Sequence, residues 1–221
     1  MNGSYYYNQF LQQILQKVKR RVFISYFHKD DEYYRDQFEQ CFDNIFQNIL
    51  VKPGEINDDN SDDYIAQVIR QQKISNATVI VVLLGNRTYC RKHVDWEIAA
   101  GLDPRVGEKR AGLVGILLPS STLYNTTIID WLNKKKNEEI DEKDRNIYTV
   151  TDELNDILTK QYHKLPPRLL DNILSGYSKI CKWTTDKEQM KKIIEWAFSM
   201  REYEKLVKNG RQKYGKNICG D

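Results

Sequence analysis

The run Asn76–Leu102, NATVIVVLLGNRTYCRKHVDWEIAAGL, decides how the rest of the chain is read. Val79 to Leu84 is unbroken, apolar and rich in β-branched side chains, and it stops at Gly85. Such a run is a strand buried on both faces, and those belong in parallel sheets. A polar turn follows, then a helix whose apolar face carries Val94, Ile98 and Leu102 at helical spacing. Glu97 lies inside that helix between Trp96 and Ile98, with Ala99, Ala100 and Gly101 after it. A carboxylate among an indole, an Ile and small residues is a candidate for a desolvated, functional acid. The competing reading is a solvated residue on the outer face of a helix that flanks a sheet.

Working outward, Arg21–Tyr26 (RVFISY) reads as the first strand, ending in the polar turn Phe27-His28-Lys29-Asp30-Asp31. Asp30 or Asp31 is expected to cap the next helix. Tyr34, Phe38, Cys41, Phe42 and Ile45 give that helix a wide buried face. A second strand is expected near Asn48–Val51, then an acidic loop over 55–62, then a helix with Ile65, Val68 and Ile69 inward. Ser61 or Asp62 caps it. Gly112–Leu118 is another buried strand, Ser178–Thr184 a short edge strand, and Asp186–Tyr203 a strong amphipathic helix. Strands separated by helices predict an α/β domain with a parallel sheet. Residues 1–20 read as an N-terminal helical arm, 21–203 as the domain with an irregular insertion at 120–176, and 204–221 as a basic tail. In the insertion, Leu165-Pro166-Pro167-Arg168 reads as a fixed turn. The tail is expected to be solvated.

Composition narrows the function. The chain has 221 residues and a formal charge of +3, too little to demand nucleic acid or a membrane. No apolar run approaches the roughly 20 residues that span a bilayer, and the start MNGSYYYNQF lacks a signal-peptide pattern. A cytoplasmic protein is expected. The four cysteines, Cys41, Cys90, Cys181 and Cys219, are far apart, so reduced thiols are expected; they and three scattered histidines predict no metal site. There is no GxGxxG, no GxxxxGK[ST] and no GxSxG, which counts against a dinucleotide-dependent dehydrogenase, a P-loop enzyme and a serine hydrolase. A phosphoacceptor Asp is absent from the end of the central strand, where Gly85-Asn86 stands, which disfavours a receiver module.

RVFISYFHKDD resembles the first strand and loop of TIR domains. ISNATVIVVLLGNRTYCRKHVDWEI resembles the TIR-like branch of bacterial Thoeris anti-phage defence, the ThsB type. LPPRLLDNI and KICKW are similar to the same branch. The resemblance implies a flavodoxin-like sheet of five parallel strands in the order 2-1-3-4-5, with a ligand crevice where the loops after strands one and three meet. It implies an NAD nucleosidase or ADP-ribosyl cyclase with Glu97 catalytic and with NAD as substrate, no further cofactor being needed. A cyclic ADP-ribose isomer would then activate a separate NAD-consuming effector after a phage trigger. In such domains the loop after strand two often mediates self-association; here that loop is acidic and without an obvious basic signature, a departure that leaves the mode of assembly open. Ser25, Phe27, His28, Asp62, Arg87 and Trp96 are the candidates for touching substrate. The alternative is a TIR scaffold without catalysis that works through protein contacts; a pure adaptor needs no carboxylate at position 97.

Overall fold

A computed structural model describes residues 19–49, 71–125 and 164–219. The expected N-terminal helix, the acidic loop with Asp62, the helix with Ile65 to Ile69, and 126–163 of the insertion lie outside the described residues.

Among the described residues the strands are β1 (Arg21–Ser25), β2 (Gln47–Ile49), β3 (Val79–Leu84), β4 (Gly112–Leu117) and β5 (Ile180–Lys182). They form one sheet in the order β2-β1-β3-β4-β5, and every pairing is parallel. The helices are α1 (His28–Phe42), α2 (Lys92–Gly101), α3 (Pro167–Leu174) and α4 (Lys187–Ser199). The fixed turn expected at Leu165–Arg168 is the entry to α3, with Pro167 at its first position, where a missing N–H costs nothing.

Side-chain alternation assigns the two layers. Phe23, Ile80, Val82, Leu84, Leu113 and Leu117 pack with Val94 and Ile98 of α2 and with Leu169 and Ile173 of α3. Val22, Ile24, Val79, Val81, Leu83, Val114 and Ile116 pack on the opposite face with Phe38 and Phe42 of α1 and with Met190, Ile193 and Ile194 of α4. All six residues of β3 are buried, the strand being central and covered on both faces. Each such Val, Ile or Leu contributes about 1.5–3 kcal/mol over its exposed state. Gly112 exists for contact: a Cβ there would strike the Ala197 carbonyl oxygen, so α4 lies directly on β4.

Three expectations are corrected. Neither Asp30 nor Asp31 caps α1: the helix starts at His28, Phe27 occupies the N-cap, and no side chain bonds there. Asp31 is instead buried, because it falls one turn in, facing the end of β3. The cysteines are not all reduced, since Cys90 and Cys219 are joined by a disulfide while Cys41 and Cys181 are free. Sequence spacing could not reveal a pair separated by 129 positions. Finally, the tail is not merely solvated. Backbone and side-chain groups from Lys208 to Ile218 bond to α2 and α3. Among the described residues, no helix is long and apolar enough to cross a membrane.

Candidate active site

β1 ends at Ser25, and alternation puts Ser25 on the same face as Phe23, beneath α2. Ser25 is registered against Val82 of β3. α2 rises from the loop after β3 and lies over that face through Val94 and Ile98. Three residues on from Val94, Glu97 is directed toward the end of β1. The Ser25 hydroxyl donates to Glu97 Oε2 at 2.6 Å. Ser25 is fully buried and Glu97 only 5% exposed. The pair sits where β1 and β3 are neighbours and the chain order reverses. In open parallel sheets that is the ligand-binding edge.

The loop from β1 into α1 forms one side. Phe27 is buried, and its ring carries the Arg91 guanidinium 3.7 Å from its centroid and that of Arg87 at 4.9 Å. Stacked guanidinium groups hold an aromatic ring by charge–quadrupole attraction. Arg87 also forks onto Asp30, Nε to Oδ2 at 2.7 Å and Nη2 to Oδ1 at 2.5 Å. That contact, before burial or any other influence, holds the Asp30 carboxyl below its ordinary range. His93 of α2 lies 3.1 Å from the Tyr26 carbonyl oxygen through Nε2. The His28 ring lies 4.3 Å from Tyr26 and 6.1 Å from His93. Burial pushes the Tyr26 hydroxyl up to about 12.

Behind this loop, the Thr88 hydroxyl ties three elements together. It accepts from Gly85 N at 3.0 Å, and it lies 3.1 Å from the Leu83 carbonyl and 3.2 Å from Asp31 Oδ2. Gly85 is required here, because a Cβ would overlap the Asp31 carboxylate. Buried Asp31 keeps Oδ1 without a hydrogen-bond partner. Burial, ahead of the opposing Thr88 contact, raises its carboxyl to about 6.

Residues 23–123 match the family model described as Thoeris protein ThsB, TIR-like domain. That stretch is similar to the TIR-like domain of ThsB. Both members of the Ser25–Glu97 pair fall inside the match, whereas α3, β5, α4 and the tail lie beyond it. No curated protein matches the chain. Among solved structures, the TIR domains in the structure of the activated Roq1 resistosome directly recognizing the pathogen effector XopQ are similar at 10% identity and a TM-score of 0.38. The similarity spans 80% of this chain and 98% of that one. The fold itself is given by the all-parallel sheet and its strand order.

The candidates named from sequence are therefore only partly brought together. Ser25 and Glu97 are in contact, with Phe27 and His28 in the stretch after β1 and Arg87 in the loop after β3. Asp62 lies outside the described residues. Trp96 faces away from Ser25: its indole N–H donates to the Tyr214 carbonyl oxygen at 2.7 Å, and Lys92 Nζ sits 5.3 Å from its ring centroid. Sequence reasoning passed over Arg91 and Asp31. The available signal for Asp31 was the glycine ending β3, which leaves room for a neighbour. No pattern marked Arg91, whose partner Phe27 is 64 positions away (91 minus 27).

Proposed function

We propose that the TIR-like domain cleaves NAD at the bond between nicotinamide and ribose, with Glu97 stabilising the cation that forms. The supporting observation is the buried Ser25–Glu97 hydrogen bond at the β1/β3 crevice. The C1′–N bond breaks with its electron pair leaving on nicotinamide, which departs neutral. The ribosyl centre becomes oxocarbenium-like. A carboxylate in a site closed to water attracts that charge far more strongly than one in bulk solvent. Ser25, donating to Oε2, fixes the rotamer of the carboxylate at the crevice. Water attack on C1′ yields ADP-ribose and a proton. Attack by a nucleophile of the same ADP-ribose, once water is excluded, yields a cyclic isomer and a proton. The Thoeris match favours the second outcome, with the cyclic nucleotide as a signal to a separate effector in defence against phage. Phe27, held by Arg91, supplies a fixed aromatic wall for the nucleotide.

The test is product analysis after incubation of the whole protein with NAD, with and without lysate of phage-infected cells. Glu97→Gln keeps shape and removes charge. It is expected to fold and to lose on the order of 3 kcal/mol of barrier lowering, a hundredfold or more in rate. NAD affinity is expected to change much less, because the cation arises only near the transition state. The exposed residue Glu108, changed to Gln, is the control. A folded Glu97→Gln protein turning over NAD at the wild-type rate would return the domain to the scaffold reading.

A further inference from the structure

A helix flanking a sheet normally buries one stripe and shows the other to water. α2 does not. Val94, Ile98 and Ala100 belong to the core on the sheet side, yet Asp95 and Ala99 are buried too. Their cover is the C-terminal segment. Asn209 Nδ2 donates to the Ala99 carbonyl at 2.9 Å, and Tyr214 N donates to Asp95 Oδ2 at 3.1 Å. Asn217 Oδ1 accepts from Lys92 N at 3.0 Å, which matters because α2 has no side-chain cap of its own at Arg91. Ile218 N donates to the Cys90 carbonyl, and Cys219 is bonded to Cys90.

One side chain joins helix, strap and α3. Arg168 is fully buried. Its Nε and Nη2 reach the two oxygens of Asp95 at 2.9 and 3.3 Å. Its remaining donors go to the strap: Nη1 to Asn209 Oδ1 at 2.9 Å and to the Asn209 carbonyl at 3.1 Å, Nη2 to the Arg211 carbonyl at 2.8 Å. A planar five-donor guanidinium suits this role, and an ammonium cannot span it.

We propose that Arg168 is a positioning residue for the candidate active site, and that it acts through Asp95 and the 208–218 strap to hold α2, and so Glu97, against Ser25. Asp95 and Glu97 share one helix, two residues apart, so a rotation of α2 about its axis that breaks one set of contacts misaligns the other. The catalytic half of the proposal rests on the nucleosidase reading above; the clamp itself does not.

Two variants of the whole protein test it. One deletes 209–221 in a Cys90→Ser background. The other, Asp95→Asn with Arg168→Gln, removes both charges together so that neither is left buried and alone. In each, amide exchange is measured across β3 and α2, along with Trp96 emission, kcat and the KM for NAD. The expected result is unchanged protection of β3 with α2 amides exchanging about tenfold faster or more. Trp96 emission moves to longer wavelength as Tyr214 leaves, a change that Trp96→Phe abolishes. kcat falls about tenfold or more while KM stays within about threefold, as for loss of alignment. Arg168→Lys, which keeps the charge but loses the fork, falls between. Unchanged α2 exchange in both variants overturns the clamp, whatever the activity. Faster α2 exchange with wild-type kcat overturns the positioning role. Wild-type protein inert toward NAD overturns the nucleosidase reading instead, and the exchange comparison then decides the clamp alone.

Discussion

Asp31 is the residue whose state depends most visibly on its surroundings. Its carboxyl, ordinarily near 3.8, is raised to about 6 because burial penalises the charge more than the Thr88 hydroxyl relieves it. The folded protein therefore holds this proton more tightly than the unfolded chain. Below the ordinary value the protonated Asp31 contributes its full stability, and that contribution is lost as pH rises through the folded value. Between about pH 4 and pH 6 this residue makes the protein less stable with rising pH, opposite to a salt-bridged carboxylate. Asp31→Asn is expected to flatten that part of the profile and to melt no lower than wild type at pH 8; melting curves at half-unit pH steps check it. Ser25 matters for a different reason. Ser25→Ala leaves Glu97 Oε2 without this donor at the buried site. About a tenfold loss of turnover with little change in melting is expected, and a kinetic comparison with Glu97→Gln shows whether the two act as a unit.

α2 draws its stability from tertiary partners rather than from its own sequence. It spans Lys92–Gly101, without a side-chain cap and with Trp96, Ile98 and a terminal Gly, too short to persist alone. The sheet holds one face and the strap the other. The Asp95–Arg168 pair between them is completely buried. Removing Arg168 alone, as Arg168→Met, strands a charged Asp95 and is expected to cost about 3–5 kcal/mol in denaturant unfolding. Changing both partners together is expected to cost clearly less, so the double-mutant cycle gives a large coupling. At the other helix layer, α4 touches β4 so closely at Gly112 that Gly112→Ala must push backbone against backbone. A loss of about 1–3 kcal/mol is expected, read as a lowered melting temperature without a change in activity per folded molecule.

For the whole molecule, the disulfide ties the loop before α2 to the C-terminal end of the chain. It closes a loop spanning 129 positions, and in the chain-entropy view such closure is worth about 5 kcal/mol against the unfolded state. Two of the four cysteines, Cys41 and Cys181, are expected to react with a thiol reagent under non-reducing denaturation. All four react after reduction, which is also expected to lower the melting temperature. Four reactive thiols without reductant would show that the strap is held by its hydrogen bonds alone.

The sequence by itself determined the parallel sheet and its central strand. Each is a local signal: an apolar run such as Val79–Leu84 must be buried on both faces, and a helical stripe through Val94 and Ile98 must face it. Only the tertiary structure decided what lies against Glu97, that Asp31 is buried rather than capping, and that Trp96 serves the strap. It also decided that the basic tail is part of the domain's packing. Those facts depend on pairs such as Ser25 with Glu97, Arg168 with Asp95 and Cys90 with Cys219, which the fold brings together across 72, 73 and 129 positions. Periodicity records which face of an element is buried. It does not record which distant segment does the burying, because many partners satisfy the same apolar stripe and only one satisfies the geometry of a forked guanidinium.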